Sequence, residues 1–259
     1  MISLIKELYS YREMIVSLVR RDLKGRYKGS ILGFLWTFLN PLLQLVVYTM
    51  VFSLIMRSGI EEYYLFLFVV LVPWIFFSTS LTGGASCIWS QKELVKKIYF
   101  PREILPISFV TSQFVNMLLS FLVIFLVLIV SAHPINLMAL CCLPLIWFVE
   151  YLLALSVAML TSAITVYLRD FEYILAIVAM AWQFLTPVMY SVEQVPEEIL
   201  MIFQMNPLTP VMVAYRDILY YAQVPKLETL LHAFLLGILL FMIGVVSFGR
   251  LKRHFAEEL

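Results

Sequence analysis

Seventeen carboxylates, eighteen lysines and arginines, three histidines and three cysteines are the side chains of this 259-residue chain that could break bonds or hold ions. Their spacing supports neither. His133, His232 and His254 lie far apart with no carboxylate at ligand spacing, and no H-E-x-x-H pair occurs. The nine glycines are scattered and Gly83-Gly84 has no lysine behind it, so the G-x-x-x-x-G-K-[ST] phosphate loop is missing. Cys87, Cys141 and Cys142 sit in apolar runs, the last two adjacent, and read as small buried hydrophobes, with no metal site. No Ser/His/Asp set can be placed by spacing; one assembled only in space stays open. What the residue types do offer is binding chemistry. Arg20, Arg21, Lys24, Arg26 and Lys28 form a basic cluster beside an apolar run, which could receive an anionic head group or simply fix topology. Glu150 is the one acid deep in an apolar run, a position for a hydrogen bond to a neighbouring helix or a role in a path. No basic residue lies in those runs to pair with it, which disfavours a proton relay.

The elements that must position these groups are membrane helices. With 63% hydrophobic and 14% charged residues, the chain falls well below the roughly one-quarter charge of a soluble domain. Several apolar runs exceed the ~20 residues that cross a bilayer. The expected fold is all-α and polytopic: six transmembrane helices over about 31–56, 63–80, 105–131, 137–167, 171–190 and 229–249. Residues 4–24 read as an amphipathic interfacial helix, with Leu4, Leu8, Tyr11, Ile15 and Leu18 on one face and Lys6, Ser10, Glu13, Ser17, Arg20, Arg21 and Lys24 on the other. No cleavable signal pattern precedes it. Repeats and flexible linkers are absent, so 1–259 reads as one domain: interfacial helix 1–30, spans one to five 31–190, outer connector 191–228, and span six with its tail 229–259.

An even number of spans puts both termini on one side, and 15 of the 18 lysines and arginines fall on that side. Only Arg57, Arg216 and Lys226 fall on the other, so both termini are expected in the cytoplasm. The outer connector carries five acids against two bases, yet is studded with apolar residues. Pro196-Glu197-Glu198 reads as the start of a helix running to 205, too short to cross. Asn206, Pro207 and Pro210 then punctuate, with Thr209 as a possible cap for a second short helix over 210–222. Such elements are expected to be re-entrant or interfacial, and to form an outer gate in which Arg216-Asp217 makes a local ion pair or takes part in gating.

Five ordered stretches carry a resemblance: LVRRDLKGRYKGSILGFLWTFLNPLL (18–43), YYLFLFVVLVPWIFFS (63–78), KELVKKIYFPREILP (92–106), YLRDFEYIL (167–175) and MNPLTPVMVAYRDILY (205–220). Together they resemble the ABC-2 type membrane subunits that export polysaccharides such as O-antigen, capsular polymers and wall teichoic acid. The resemblance covers nearly the whole chain. It implies six spans, a homodimer with the path between subunits, and two separate ATP-binding subunits underneath, where ATP and magnesium are held. It implies no cofactor and no catalysis in this chain. The cargo would be a lipid-linked polysaccharide, with membrane lipids around it and no nucleic acid. The rival within transport is an ABC-2 exporter of a drug or lipid.

The resemblance also distributes roles. The 91–106 loop matches the position of a coupling helix that docks on the ATPase, through Leu94, Val95, Lys97, Ile98, Tyr99, Phe100 and Arg102; the plainer reading is a positive-inside anchor. Arg169-Asp170, in the tight turn after span four, is a second contact or an intramolecular salt bridge. The basic cluster becomes a landing place for a lipid pyrophosphate. Sugar rings stack on aromatic faces, so Trp36, Phe38 and Tyr48 in span one and Trp182 and Phe184 in span five are candidate channel-lining residues. Asn40 and Gln44 join them, while Asn40-Pro41 is expected to bend span one; helix–helix packing is the plainer reading for all of these.

Overall fold

The computed structural model describes residues 2–56, 59–252 and 255–258, with the side chains of 2–5, 26, 27, 54, 256 and 257 outside the described set. Leu4, Arg26, Arg57, Arg253 and His254, used above for faces and charge counts, therefore contribute no side-chain geometry. Among the described residues all regular structure is helical, with no strand.

The amphipathic segment is two helices, α1 (Ile2–Ser10) and α2 (Arg12–Tyr27), where one was expected. They part at Tyr11, where the Ser10 hydroxyl shares the Glu7 carbonyl with the Tyr11 N–H. Leu8, Tyr11, Ile15 and Leu18 pack on the bundle as their spacing predicts. Next comes α3 (Trp36–Thr49), which runs through Pro41, is preceded by a tight turn at Gly33–Leu35 and continues into a widened π turn at Met50–Ile55. The apolar stretch Gly33–Ser53 is long enough to cross a membrane. Then follow α4 (Tyr63–Ser86), six residues longer than the sequence reading, the short α5 (Lys92–Lys97) and α6 (Ile104–Val130). The expected fourth span divides into α7 (Leu137–Leu140) and α8 (Leu143–Tyr167). After it come α9 (Phe171–Phe184), α10 (Glu197–Met205), α11 (Leu208–Leu219), α12 (Leu227–Leu251) and α13 (Phe255–Glu258).

Five stretches are thus long and apolar enough to span a bilayer. The remaining expected span, the fifth in chain order at 171–190, is helical only as far as Phe184. Its 14 residues rise about 21 Å, short of the ~30 Å hydrocarbon core. The second connector helix also differs from expectation: it begins at Leu208, and Thr209 does not cap it. Asn206 takes that role, its Oδ1 accepting from the Leu208 N–H at 3.0 Å.

The core is built around α4, apolar on every side, with Leu65 to Val72 all at most 2% exposed. It packs on α3, α6, α8, α9 and α11. On its far side α8 packs on α12. Small residues allow both crossings: a Cβ at Gly84 would lie 2.7 Å from that of Ala158, and one at Gly244 would lie 2.8 Å from the Ser156 carbonyl oxygen. Close backbone approach is what drives helix association where lipid removes the hydrophobic incentive.

Candidate functional site

Three features stand out against this apolar bundle. The first is a polar groove between α3, α4 and α9. Asn40, Gln44 and Tyr48 recur every fourth residue on α3 and so form one stripe, facing Ser78, Thr79 and Thr82 of α4 and Gln183 of α9. The groove measures about 330 Å³. Gln44 Nε2 donates to Asn40 Oδ1 at 3.2 Å, and Gln183 Nε2 to the Tyr48 hydroxyl at 3.4 Å. Thr82 and Ser78 bond their own helix carbonyls, which lets a hydroxyl sit in an apolar helix without a cross-helix partner. Through Asn40, Ile75 and Thr79 the groove adjoins a second cavity of about 260 Å³, lined by Trp36, Thr37, Gln113 and Asn116 among others. Among the described residues no charged side chain lines either space.

Of the candidate channel residues, Trp36, Asn40, Gln44 and Tyr48 therefore line these spaces, and Phe184 is exposed just beyond. Phe38 stacks edge-on with Phe34 at 5.2 Å. Trp182 turns inward: its Nε1 donates to Asn206 Oδ1 at 3.1 Å and its ring meets Phe77 at 5.1 Å. Gln183, Ser78, Thr79 and Thr82 were missed. The signal for Gln183 was present, since Ala176, Met180 and Gln183 fall on one helical stripe.

The second feature is the basic end. Arg20, Arg21, Lys24 and Lys28 of the α2 region, with Phe34 and Leu119, line an open groove of about 1130 Å³. Arg26 lies in α2, its side chain outside the described residues. Asp22, unremarked among these bases, points the other way and accepts from the Ser112 hydroxyl of α6. In the 91–106 loop, Val95 and Phe100 are each 4% exposed and Leu94 packs on the core, whereas Ile98 is 54% and Tyr99 83% exposed. Lys97 is exposed and paired with Glu93 at 3.2 Å. Arg102 donates to the Lys252 carbonyl at 3.0 Å, and Lys252 Nζ pairs with buried Glu103 at 2.5 Å. Arg169 and Asp170 are exposed in their turn. The Arg169 guanidinium lies 5.0 Å from the centre of the Trp89 ring, which also carries Lys92 at 5.5 Å. Trp89 thus brings the 91–106 loop and the 167–170 turn side by side.

The third feature is the opposite end. Arg216 is 3% exposed and does not pair with Asp217, as the expected ion pair required; neighbours in a helix point about 100° apart. Its guanidinium lies over the Phe66 ring at 3.7 Å and donates to the carbonyls of Val188 (2.7 Å), Tyr190 (3.0 Å) and Phe66 (3.5 Å). Asp217 lines a cleft with Glu193, Tyr221 and Gln223, and Arg216 borders the same cleft. Burial holds its carboxyl above the usual carboxylate range, with Lys226 opposing. His133 joins this end together, with Nε2 at 2.7 Å from the Tyr220 carbonyl and Nδ1 at 3.0 Å from Glu62. Asn206 and Pro207 link α10 to α11, Pro210 is buried in the first turn of α11, and Pro196 is exposed at the start of α10. Tyr215 bonds Glu150 of α8.

Apolar helices of spanning length around an uncharged polar groove define a polytopic helical membrane protein. The chain belongs to the ABC-2 type transporter family, whose model matches residues 13–220. It is 36% identical over 261 residues, the full length of both chains, to a protein named "O-antigen export system permease protein RfbA" from Myxococcus xanthus. It is 32% identical over 247 residues, 95% of each chain, to a protein of the same name from Klebsiella pneumoniae.

Proposed function

We propose that this chain is the transmembrane subunit of an ATP-driven exporter that moves a polysaccharide across the bacterial cytoplasmic membrane. The observation that carries the reading is the groove of Asn40, Gln44, Tyr48, Ser78, Thr79, Thr82 and Gln183 inside an otherwise apolar bundle. Amides, hydroxyls and an aromatic ring offer exchangeable hydrogen bonds and a stacking face. A hydroxylated polymer can pass such a surface without the trap that a fixed charge would set. The names borne by the full-length relatives support the same cargo class.

In this reading the path is completed by a second copy. The groove opens sideways between α3 and α9, whose flanks expose Val46, Val47, Ile177 and Met180. Six crossings are made, the fifth by α9 with residues 185–190. The basic end is cytoplasmic. Arg20, Arg21, Lys24, Arg26 and Lys28 receive the pyrophosphate of a lipid-linked glycan of the O-antigen, capsule or teichoic acid kind. Ile98, Tyr99, Lys97, Arg169 and Asp170 meet the ATP-binding subunit, while Leu94, Val95 and Phe100 anchor that surface from within. ATP and magnesium act on the partner, which drives export by favouring one channel state over another. The helices α10 and α11 form the outer lid.

The test is reconstitution of the chain with its ATP-binding subunit in liposomes and measurement of ATP-dependent movement of lipid-linked glycan. Export that depends on ATP and falls when Gln44 and Gln183 are replaced by leucine is the expected result. ATPase activity that responds to amphiphiles and not to lipid-linked glycan would instead favour export of a drug or lipid.

A further inference from the structure

We propose that Arg216 is the positioning residue that holds the outer end of the path closed, by fixing the non-helical segment 185–190 to α11 and α4. The helix α9 stops at Phe184, so residues 185–190 continue it as non-helical backbone. Thr186, Val188 and Met189 in that segment are at most 4% exposed. Backbone of this kind is tolerated at membrane depth only where its polar groups are satisfied by protein or water.

Side chains from elsewhere do this in a consistent pattern. Asn206 Nδ2 donates to the Leu185 carbonyl at 3.0 Å, and the Tyr63 hydroxyl to that of Met189 at 2.8 Å. Among the described residues Arg216 alone serves two carbonyls of the segment, Val188 and Tyr190, and it anchors the pair to Phe66 of α4 through a third carbonyl and the ring. Among the described residues no carboxylate forms a salt bridge with it. The guanidinium is a rigid, planar fork that meets these carbonyls at fixed angles, a geometry that a compact ammonium on a flexible stem does not hold.

The geometry has a mechanical consequence. Separating α11 from the segment would strand a buried guanidinium and two carbonyls, so α11 and residues 185–190 move as one body. That body directly follows Gln183 and Phe184, at the outer end of the polar groove. Its seat therefore decides whether the groove is shut there. Arg216 acts through that seat, without contacting cargo.

This inference rests on the exporter reading for its direction, but its deciding readout, dye loss, needs neither glycan nor ATP. The complete complex with its ATP-binding subunits is reconstituted in liposomes holding a trapped fluorescent dye, and dye loss is followed for wild type, Arg216→Lys and Arg216→Met. The expected result is an assembled Arg216→Lys complex with unchanged basal ATPase and dye loss about tenfold faster than wild type. Arg216→Met should be faster still. Should Arg216→Met fail to assemble, Arg216→Lys decides alone. An assembled Arg216→Lys complex as tight as wild type overturns the clamp and leaves glycan export untouched. A wild-type complex that exports no glycan overturns the exporter reading and leaves the leak comparison standing.

Discussion

The Tyr215 hydroxyl of α11 donates to Glu150 Oε2 of α8 at 2.5 Å, and Glu150 is wholly buried. The bond ties α11 to the middle of the long apolar stretch Leu137–Tyr167, which makes Glu150 a structural acceptor. Its Oε1 has no hydrogen-bond partner among the described residues, so the site depends on this one donor. Tyr215→Phe removes it and should cost about 1–3 kcal/mol of stability, the penalty for a buried polar group left unmade. Glu150→Gln keeps a carbonyl oxygen for the tyrosine and cannot ionise, so it should cost less and leave ATP-driven export intact. Thermal unfolding of the purified variants checks the first, and the liposome export assay the second. Loss of export in a stable Glu150→Gln protein would restore the proton-relay reading.

At the basic end, Lys252 and Glu103 form a 2.5 Å pair in which the Glu103 side chain is 3% exposed. Removing one partner of a buried pair leaves an uncompensated charge, which typically costs about 3–5 kcal/mol. Lys252→Met should therefore destabilise strongly, whereas Glu103→Gln with Lys252→Met should recover much of the loss. A double-mutant cycle in thermal or denaturant unfolding measures this coupling. Equal destabilisation by the single and double variants would mean that packing, not charge, holds the tail to α6.

Much of this was legible in the sequence because membrane helices announce themselves by length and polarity. α4, α6, α8 and α12 fall close to where hydropathy places them. What stayed hidden has physical reasons. Hydropathy averages over a window, so it could not see α9 end at Phe184 while the next six residues stay largely apolar. Charge counting placed Arg216 on the outer side but offered only its neighbour Asp217 as a partner; the actual partners are main-chain carbonyls, which no residue letter reveals. Aromatic type marked Trp182 as channel-lining, yet its indole N–H found Asn206 and the face beside it fell to Gln183. The 91–106 loop stood out in the sequence as a stretch, but which of its apolar residues face outward depended on a six-residue helix too short to set a period.

Asp217 offers a test of sign. Burial favours its neutral form in the folded protein, so its carboxyl titrates above the ordinary range, Lys226 only partly offsetting this. A carboxyl raised in this way weakens the fold as pH rises through its folded value, and the penalty vanishes below the unfolded value of about 3.9. Asp217→Asn cannot ionise. It should raise the melting temperature at neutral pH, and the gain should shrink as pH falls toward that lower value. A melting series across pH for the two proteins checks this; a gain that grew on acidification would reverse the assignment.

The 91–106 loop gives the sharpest separation between anchoring and coupling. Val95 and Phe100 face the core, so Val95→Asp and Phe100→Asp should lower the stability and yield of this chain by itself. Ile98 and Tyr99 face outward beside exposed Lys97, with Arg169 brought close through Trp89. If they meet the ATP-binding subunit, Tyr99→Asp places a charge in a contact that would exclude water. Loss of a strong interface residue costs about 2 kcal/mol or more, which is about 30-fold in affinity. Ile98→Asp and Tyr99→Asp should therefore leave this chain's melting temperature unchanged while sharply reducing recovery of the ATP-binding subunit. A loop that served only as a positive-inside anchor predicts the opposite for Tyr99: an exposed interfacial aromatic could be replaced with no loss of partner. Measuring stability and partner recovery on the same four variants distinguishes the two, because inward and outward residues must then fall into different groups.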